Sequence, residues 1–124
     1  MKTLVLGASP NPDRYAYKAV MSLVHHGHEV VPVGIKKGEI NGQVILNGFP
    51  ELKDIDTVTL YINPTIQKGW YDYIIGLHPH RIIFNPGTEN PEFEKLAGKN
   101  DIQTVIACTL VMLSTGEYEK SMVD

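Results

Sequence analysis

The sequence predicts an α/β fold in which helices cover both faces of one mostly parallel, five-stranded sheet. Short apolar runs of four to six residues alternate with segments whose apolar residues recur every three or four positions. The first pattern is typical of buried strands and the second of amphipathic helices. Because parallel neighbours need long, right-handed crossover connections, this order predicts a three-layer, doubly wound, Rossmann-like sheet.

Five apolar segments are the predicted strands. They are rich in β-branched and aromatic residues, which favour strands, and Gly or Asn directly follows four of them. In chain order the segments are residues 3–6, 30–33, 57–62, 81–84 and 102–107.

Helices are predicted in three of the connections. An apolar stripe from Ala16 to Val24 follows the first strand, and Gly27 ends that helix. Asn90 and Pro91 supply an N-cap and a first-turn proline for a helix before the last strand. Residues 34–56 contain two Asn-Gly pairs and are predicted to form a loop or a small hairpin. The helix after the third strand is predicted from the spacing of Ile66, Trp70, Tyr73, Ile74 and Leu77.

Length and composition narrow the functional classes. The 124 residues predict a single domain, 1–124, and the net charge of -3 disfavours a nucleic-acid binder that uses a basic face. No apolar stretch is long enough to predict a membrane span. The single cysteine cannot form an internal disulfide, so we expect a cytoplasmic protein.

The loop after the first strand is predicted to bind an anion. Gly7 and Ala8 are small enough for the backbone to approach a ligand closely, and backbone N–H groups there and at the helix start favour phosphate. Ser9 adds a hydroxyl donor, and the Arg14 guanidinium suits two phosphate oxygens. A pyrophosphate fits this donor set. The loop lacks two glycines of the G-x-G-x-x-G pattern, so a simple strand-to-helix turn is the alternative.

The residues after the second strand distinguish between nucleotides. NAD-binding folds usually place Asp or Glu there, but this chain has Lys36 and Lys37. Cations favour an extra ribose phosphate, which indicates NADP or coenzyme A. The alternative is a solvated lysine pair at the start of a surface loop.

Several short motifs are spread along nearly the whole chain. They are Gly7-Ala8-Ser9 with Asn11-Pro12 and Arg14, Tyr17, Val31-Pro32-Val33, Gly38-Glu39-Ile40-x-Gly42, Phe49-Pro50-x-Leu52-x-Asp54-Ile55, Asn63-Pro64, Asn85-Pro86-Gly87 and Cys108. With these motifs, the chain resembles the small stand-alone CoA-binding domain proteins, which are relatives of the N-terminal domain of succinyl-CoA synthetase α chains.

The resemblance implies a site that binds coenzyme A or an acyl-CoA, without implying catalysis. It places the first loop around the phosphates, the second strand end near the nucleotide and the third strand end beside it. Relatives often carry Ser-Tyr where this chain has Ala16 before Tyr17, and the residues after Asn85 also differ from many relatives. The implied binding residues are Gly7, Ala8, Ser9, Asn11, Arg14, Tyr17, Val33, Lys36 or Lys37, Asn63, Pro64 and Cys108.

Cys108 is predicted to lie just past the last strand, near the ligand. Its thiol could exchange with the thiol of coenzyme A to give a mixed disulfide, or it could be a small buried apolar residue. The five histidines are predicted to be ordinary helix-end and loop residues, because no Cys or carboxylate completes a metal site around them. No nucleophile is paired with a base in any known motif, so no catalytic residue is predicted.

Three functions therefore remain open from the sequence. The first is a non-catalytic module that binds coenzyme A or an acyl-CoA. The second is an NADP-binding oxidoreductase or a subunit of one, although 124 residues leave little room for a second substrate domain. The third is a regulatory or interaction subunit that docks on a CoA-ligase partner. A homo-oligomer is the alternative assembly, and it would count against this third function.

Overall fold

The computed structural model describes residues 2–120 and contains the predicted five-stranded parallel sheet. The strands are β1 (Lys2–Leu6), β2 (Glu29–Val33), β3 (Glu39–Ile40), β4 (Gln43–Val44), β5 (Thr57–Leu60), β6 (Arg81–Phe84) and β7 (Gln103–Ile106). The order in the five-stranded sheet is β2-β1-β5-β6-β7, and every neighbouring pair is parallel. The order therefore reverses between β1 and β5, which confirms the doubly wound fold.

Helices cover both faces of the sheet, as predicted. Leu4 and Leu6 pack into one apolar cluster with Ile74 and Phe93, whereas Val5 belongs to the cluster on the opposite face. No helix among residues 2–120 is long and apolar enough to span a membrane. The helices are α1 (Tyr15–His25), α2 (Pro64–Gln67), α3 (Tyr71–Leu77), α4 (Pro91–Lys99), α5 (Thr109–Thr115) and α6 (Glu117–Lys120).

The predicted third strand is too long at its carboxyl end. It was expected to reach residue 62, but β5 ends at Leu60. Leu60 pairs with Leu6 on one side and with Phe84 on the other, and both are the last residues of their strands. Both neighbouring strands end at this level, so the ladder stops after one more hydrogen bond, from the Tyr61 N–H to the Leu6 carbonyl at 2.8 Å. Tyr61 and Ile62 border the space beyond it.

The predicted second helix is divided into three parts. A 3-10 turn, Lys68–Trp70, separates α2 from α3, where one continuous helix was expected. Gly69 lies in this turn, and glycine has a low preference for the interior of an α-helix. Trp70, the last residue of this turn, borders the cleft described below.

The excursion after β2 is a small hairpin, one of the two predicted forms. β3 and β4 pair antiparallel, and the turn between them contains Asn41 and Gly42, both at positive φ. Such a pair is typical of a tight hairpin turn. Asn47 then donates a hydrogen bond from Nδ2 to the carbonyl of Gly34 at 2.7 Å, which fixes the start of the excursion at the end of β2.

The two helices after β7 were not predicted. Tyr118 of α6 is fully buried, and its ring lies between Arg81, whose Cζ is 4.3 Å from the ring centroid, and the ring of His28. The Tyr118 hydroxyl is hydrogen-bonded to Thr3. Arg81 also donates from Nη1 to the Tyr118 carbonyl at 2.9 Å, and burial lowers the pKa of its guanidinium. These contacts attach α6 to the amino-terminal end of the sheet.

Candidate functional site

A cleft of about 550 Å³ opens at the carboxyl ends of the central strands. The loops after β1, β2, β5 and β6 line it, so it spans the point where the strand order reverses. Parallel α/β sheets bind ligands in this position. The strand-end rule therefore located the candidate site before any side chain was considered.

Half of the predicted binding residues border this cleft. They come from three separate loops, which the parallel sheet brings to one edge. The predicted residues in the lining are Gly7, Ala8, Ser9, Arg14, Lys36 and Asn63.

Three other predicted residues lie around the first loop, outside the lining. Val33 is buried in the core, and its carbonyl accepts hydrogen bonds from the N–H groups of Gly7 and Ala8. Asn11 is exposed, and its side-chain oxygen accepts a hydrogen bond from the Asp13 N–H at 3.0 Å, which shapes the loop. Tyr17 is half-buried and packs against the core cluster under α1.

The last three predicted residues also lie outside the lining. Lys37 is exposed next to Lys36 and is not part of the cleft lining. Pro64 is the first residue of α2, directly after the N-cap Asn63. Cys108 is half-buried at the N-cap position of α5.

Two glycines allow the strand ends to converge on the cleft. A Cβ on Gly7 would lie 2.9 Å from the carbonyl oxygen of Tyr61, and the φ of Gly7 is +101°. A Cβ on Gly34 would lie only 2.1 Å from the carbonyl oxygen of Ala8. A side chain at either position would force the loops after β1, β2 and β5 apart. Gly34 was not among the predicted binding residues, yet it lines the cleft.

Two backbone groups that were predicted to bind an anion are hydrogen-bonded within the protein. The Gly7 and Ala8 N–H groups, expected to face an anion, donate instead to the Val33 carbonyl at 2.8 and 3.0 Å. The Asn11 N–H donates to Ser9 Oγ at 3.2 Å. The Gly7 and Ala8 N–H groups are therefore already hydrogen-bonded to β2, and the Asn11 N–H is hydrogen-bonded within the loop.

Backbone N–H groups without a capping side chain lie at the start of α1. Tyr15 and Ala16 line the cleft, and α1 has no side-chain hydrogen bond at its N-cap. The first N–H groups of a helix have no acceptor within the helix, and they carry the positive end of its dipole. The Ser9 hydroxyl can still donate its proton while its oxygen accepts. Together with the Arg14 guanidinium, these groups form a concentrated donor set for an anion.

The charges that border the cleft have one sign. Arg14 and Lys36 are the charged residues in its lining, which contains no carboxylate among the residues described. Neither cation forms a salt bridge within residues 2–120. The net charge of the chain is -3, so this positive region contrasts with the molecule as a whole. The lining of the cleft is therefore a positively charged region, which favours a negatively charged ligand.

These features agree with the comparison of the sequence with known families. The family described as CoA binding domain matches residues 1–114. The chain belongs to the CoA binding domain family. No curated protein is significantly similar to its sequence.

Solved structures share the fold of this CoA binding domain. An uncharacterized protein of known crystal structure is 57% identical, with a TM-score of 0.91 over 93% of this chain and 95% of that chain. A hypothetical protein from Pyrococcus horikoshii OT3 is 28% identical, with a TM-score of 0.76 over 86% of this chain and 75% of the other. An acetyl-coenzyme A synthetase from Candidatus Korarchaeum cryptofilum is 16% identical, with a TM-score of 0.69 over 86% of this chain. This chain covers only 25% of that synthetase.

The sequence analysis missed an apolar side of the cleft in this CoA binding domain. Ile62, Ile66 and Trp70 all line it. The helical spacing used Trp70 only to predict a helix, and the residue does pack against the core, next to Phe49 and Tyr73. Trp70 is also the last residue of the 3-10 turn that interrupts this helix.

Tyr61 is the ionisable group at the base of the CoA binding domain cleft. Burial raises the pKa of its phenol to about 12. The phenol therefore stays protonated at neutral pH and does not act as a base. Among residues 2–120, no group of three or more His, Cys, Asp or Glu side chains is arranged to hold a metal ion.

Proposed function

We propose that the chain binds coenzyme A in this cleft, as a non-catalytic binding or regulatory module formed by one domain, residues 1–124. The observation that carries the proposal is the uncapped start of α1 beside Arg14, in a chain that matches the CoA binding domain family over residues 1–114. We also place the protein in the cytoplasm, because its one cysteine requires no oxidising compartment.

The positions of the cleft residues support one orientation of the ligand. The pyrophosphate would lie at the start of α1, bonded by Arg14 and Ser9. The ribose phosphate would lie at the end of β2, next to Lys36. The pantetheine arm would then extend across the ends of β5 and β6, away from both cations. Neighbouring strands are about 4.8 Å apart, so this path crosses roughly 14 Å of the sheet edge from β2 to β6.

Calorimetric titration with coenzyme A, dephospho-coenzyme A, NADP and NAD tests the proposal. Coenzyme A is expected to bind more tightly than the dephospho form, because only the former has a 3′-phosphate for Lys36. A preference for NADP would favour an oxidoreductase or an oxidoreductase subunit instead. Absence of heat with all four ligands, together with no carried-over ligand in the protein's intact mass, would refute both nucleotide functions.

Arg14→Ala provides a residue-level version of this test. Loss of a charged hydrogen-bond donor is expected to weaken coenzyme A binding by about 1.5–3 kcal/mol. Lys53→Ala is the control, because Lys53 is exposed and its carbonyl contacts Lys2, at the opposite end of the sheet. Equal affinity in the Arg14 variant and the control would show that the phosphates bind elsewhere.

A role as a subunit of a larger CoA ligase is the second candidate. It is favoured by the structural similarity to part of an acetyl-coenzyme A synthetase, in which the same fold is one portion of a longer chain. Affinity purification from native cells, followed by mass spectrometry, tests this role. Copurification of a ligase subunit in equal amount supports it, and a monomer or a homo-oligomer without other subunits contradicts it.

A further inference from the structure

The two edges of the five-stranded sheet differ in how they are protected. β2 forms one edge, and the excursion after it covers this edge. The Leu46 N–H donates to the Pro32 carbonyl at 2.9 Å, and the Gly34 N–H donates to the Leu46 carbonyl at 3.0 Å. β2 also contains exposed Glu29, and its Pro32 has no N–H. A charge, a proline and a covering loop are common features that prevent an edge strand from pairing with another chain.

β7 forms the other edge and has none of these features. Its four residues, Gln103–Ile106, include neither a charged residue nor a proline. No strand or loop within residues 2–120 pairs with its outer side. Ile106 is 58% exposed. An uncharged edge strand with an exposed isoleucine is able to pair with a further strand.

The backbone groups that point away from β6 belong to Thr104 and Ile106. The Gln103 N–H donates to the carbonyl of His80, the residue before β6, at 3.0 Å. Successive residues of a strand direct their backbone groups to opposite sides, so Thr104 and Ile106 face outward. Neither of their N–H groups donates a hydrogen bond within residues 2–120. Each residue therefore offers one donor and one acceptor at the open edge.

A second copy of the same strand would satisfy these groups. When two β7 strands lie antiparallel about a two-fold axis at Val105, Thr104 of each copy faces Ile106 of the other. Residues that face each other in this way exchange both of their N–H···O bonds. Every outward donor and acceptor of Thr104 and Ile106 is then used, and both copies contribute the same surface, as in most symmetric dimers.

The charges of α4 favour a second copy as the partner. α4 connects β6 to β7 and packs beside this edge. Its exposed side chains change from acidic Glu92 near the start to basic Lys95 and Lys99 near the end. Neither lysine forms a salt bridge within residues 2–120. A two-fold axis perpendicular to the sheet makes the two copies of α4 antiparallel on the same face, so the acidic start of each lies towards the basic end of the other.

From these observations we infer that the β7 edge is the interface of a homodimer, in which two copies of this chain form one continuous sheet. No residue of β7 or α4 lines the cleft. The antiparallel arrangement places the two clefts at opposite ends of the combined sheet, so both stay open. The inference is therefore independent of which ligand the cleft binds.

The mass of the full chain in solution tests the inference. Sedimentation velocity over a concentration series is expected to show a species of twice the 13.8 kDa chain mass as the concentration rises. A monomer at every concentration would overturn the inference and leave the β7 edge to a strand of a different sequence.

Two substitutions at the edge locate the interface. Thr104→Pro removes an outward N–H that makes no bond within residues 2–120, and Ile106→Lys adds a cation to the exposed edge. Each is expected to give a monomer at concentrations at which the unsubstituted chain is a dimer, with an unchanged far-UV circular dichroism spectrum. Val44→Lys is the matched control, because Val44 is 62% exposed in β4, beside the opposite edge. A dimer that persists with Ile106→Lys, or that is lost equally in the control, would overturn the inference.

Charge reversal tests the antiparallel packing of α4. Lys99→Glu brings acidic groups from the two copies together, so the dimer is expected to dissociate more readily, and most clearly at low salt. Glu92→Lys combined with Lys99→Glu restores opposite charges and is expected to recover the dimer. Dimer formation that Lys99→Glu leaves unchanged, or that the double variant does not recover, would contradict the proposed arrangement.

Discussion

The contact between Gly34 and Ala8 leaves no room for a methyl group at the end of β2. Because a Cβ on Gly34 would lie 2.1 Å from the Ala8 carbonyl oxygen, a backbone shift is required to accommodate it. Gly34→Ala is expected to lower the free energy of unfolding by about 1–3 kcal/mol, a typical cost of overpacking. It should also weaken coenzyme A binding, since both residues line the cleft. Chemical denaturation and calorimetry measure the two effects.

Gly76 provides a control of the same chemical change. It lies in α3 with nothing within 4 Å of an added Cβ. Alanine is favoured over glycine inside a helix by about 0.5–1 kcal/mol, so Gly76→Ala should raise stability. A loss of stability of similar size in both variants would show that the close contact at Gly34 is not the cause.

The neighbouring lysines after β2 separate a ligand contact from a solvated charge. Lys36 lines the cleft and Lys37 does not, although both are exposed. Lys36→Ala is expected to remove most of the preference for coenzyme A over dephospho-coenzyme A, and Lys37→Ala to preserve it. Titration of each variant with both ligands measures the preference. The reverse result would place the 3′-phosphate at Lys37.

At the scale of an element, α6 gains part of its attachment from a hydrogen bond between two side chains. His28 Nε2 lies 2.9 Å from Glu119 Oε1. Burial alone would raise the pKa of the Glu119 carboxyl. The hydrogen bonds to His28 and to a backbone N–H lower it by more, so the pKa falls below the usual 4.5. A carboxyl with a lowered pKa stabilises the fold above its unfolded pKa and loses that contribution as the pH falls through the folded value.

Glu119→Gln is therefore expected to destabilise the protein at neutral pH and to have little effect in acid. The carboxylate is partly exposed, so the difference at pH 7 should be below about 1 kcal/mol, as for surface pairs. Denaturant unfolding at about pH 7 and pH 3 measures it. Glu117→Gln on the same helix is the control, since Glu117 contacts only the exposed Lys120, at 3.8 Å. A difference that persists undiminished in acid would contradict the assignment.

Elements differ in how well the sequence predicted them. The central parts of the strands could be predicted because buried strands appear in the sequence as short apolar runs. The predicted strand 81–84, for example, agrees at both ends with β6. α5 and α6 were missed because helices of seven and four residues carry too little periodicity to identify. The position of α6 depends on Tyr118 packing against Arg81, which lies 37 residues away in the chain.

For the whole molecule, the contrast between its negative net charge and its positive cleft predicts that stabilisation by coenzyme A depends on the salt concentration. Coenzyme A at 100 times its Kd is expected to add about 2.7 kcal/mol to the free energy of unfolding and so to raise Tm. Because exposed Arg14 and Lys36 act through screened electrostatics, the increase should shrink as NaCl is added. Thermal unfolding with and without ligand over a salt series measures this. Pantetheine, which lacks the nucleotide and its phosphates, is the control, and an equal salt response for both would contradict phosphate anchoring.

The location of the site was more predictable than its complete lining. The parallel sheet required a cleft at the strand ends, so Gly7, Ser9 and Arg14 could be assigned from one loop motif. The Gly7 and Ala8 N–H groups donate to the Val33 carbonyl because that loop lies close to β2. This contact is between distant parts of the chain, so no local sequence pattern predicts it. The presence of Ile66 in the cleft lining depends similarly on the path of the chain after β5.

The position of Trp70 allows ligand binding in the cleft to be followed by tryptophan fluorescence. It is the single tryptophan of the chain, and its ring lies 4.5 Å from that of Phe49 on one border of the cleft. Indole fluorescence can be excited selectively at the red edge of aromatic absorption, where the six tyrosines contribute little. Replacement of water beside the indole by a ligand changes the polarity around it and therefore its emission. The protein thus carries its own unlabelled reporter of occupancy, suited to stopped-flow measurement of how fast the cleft fills and empties.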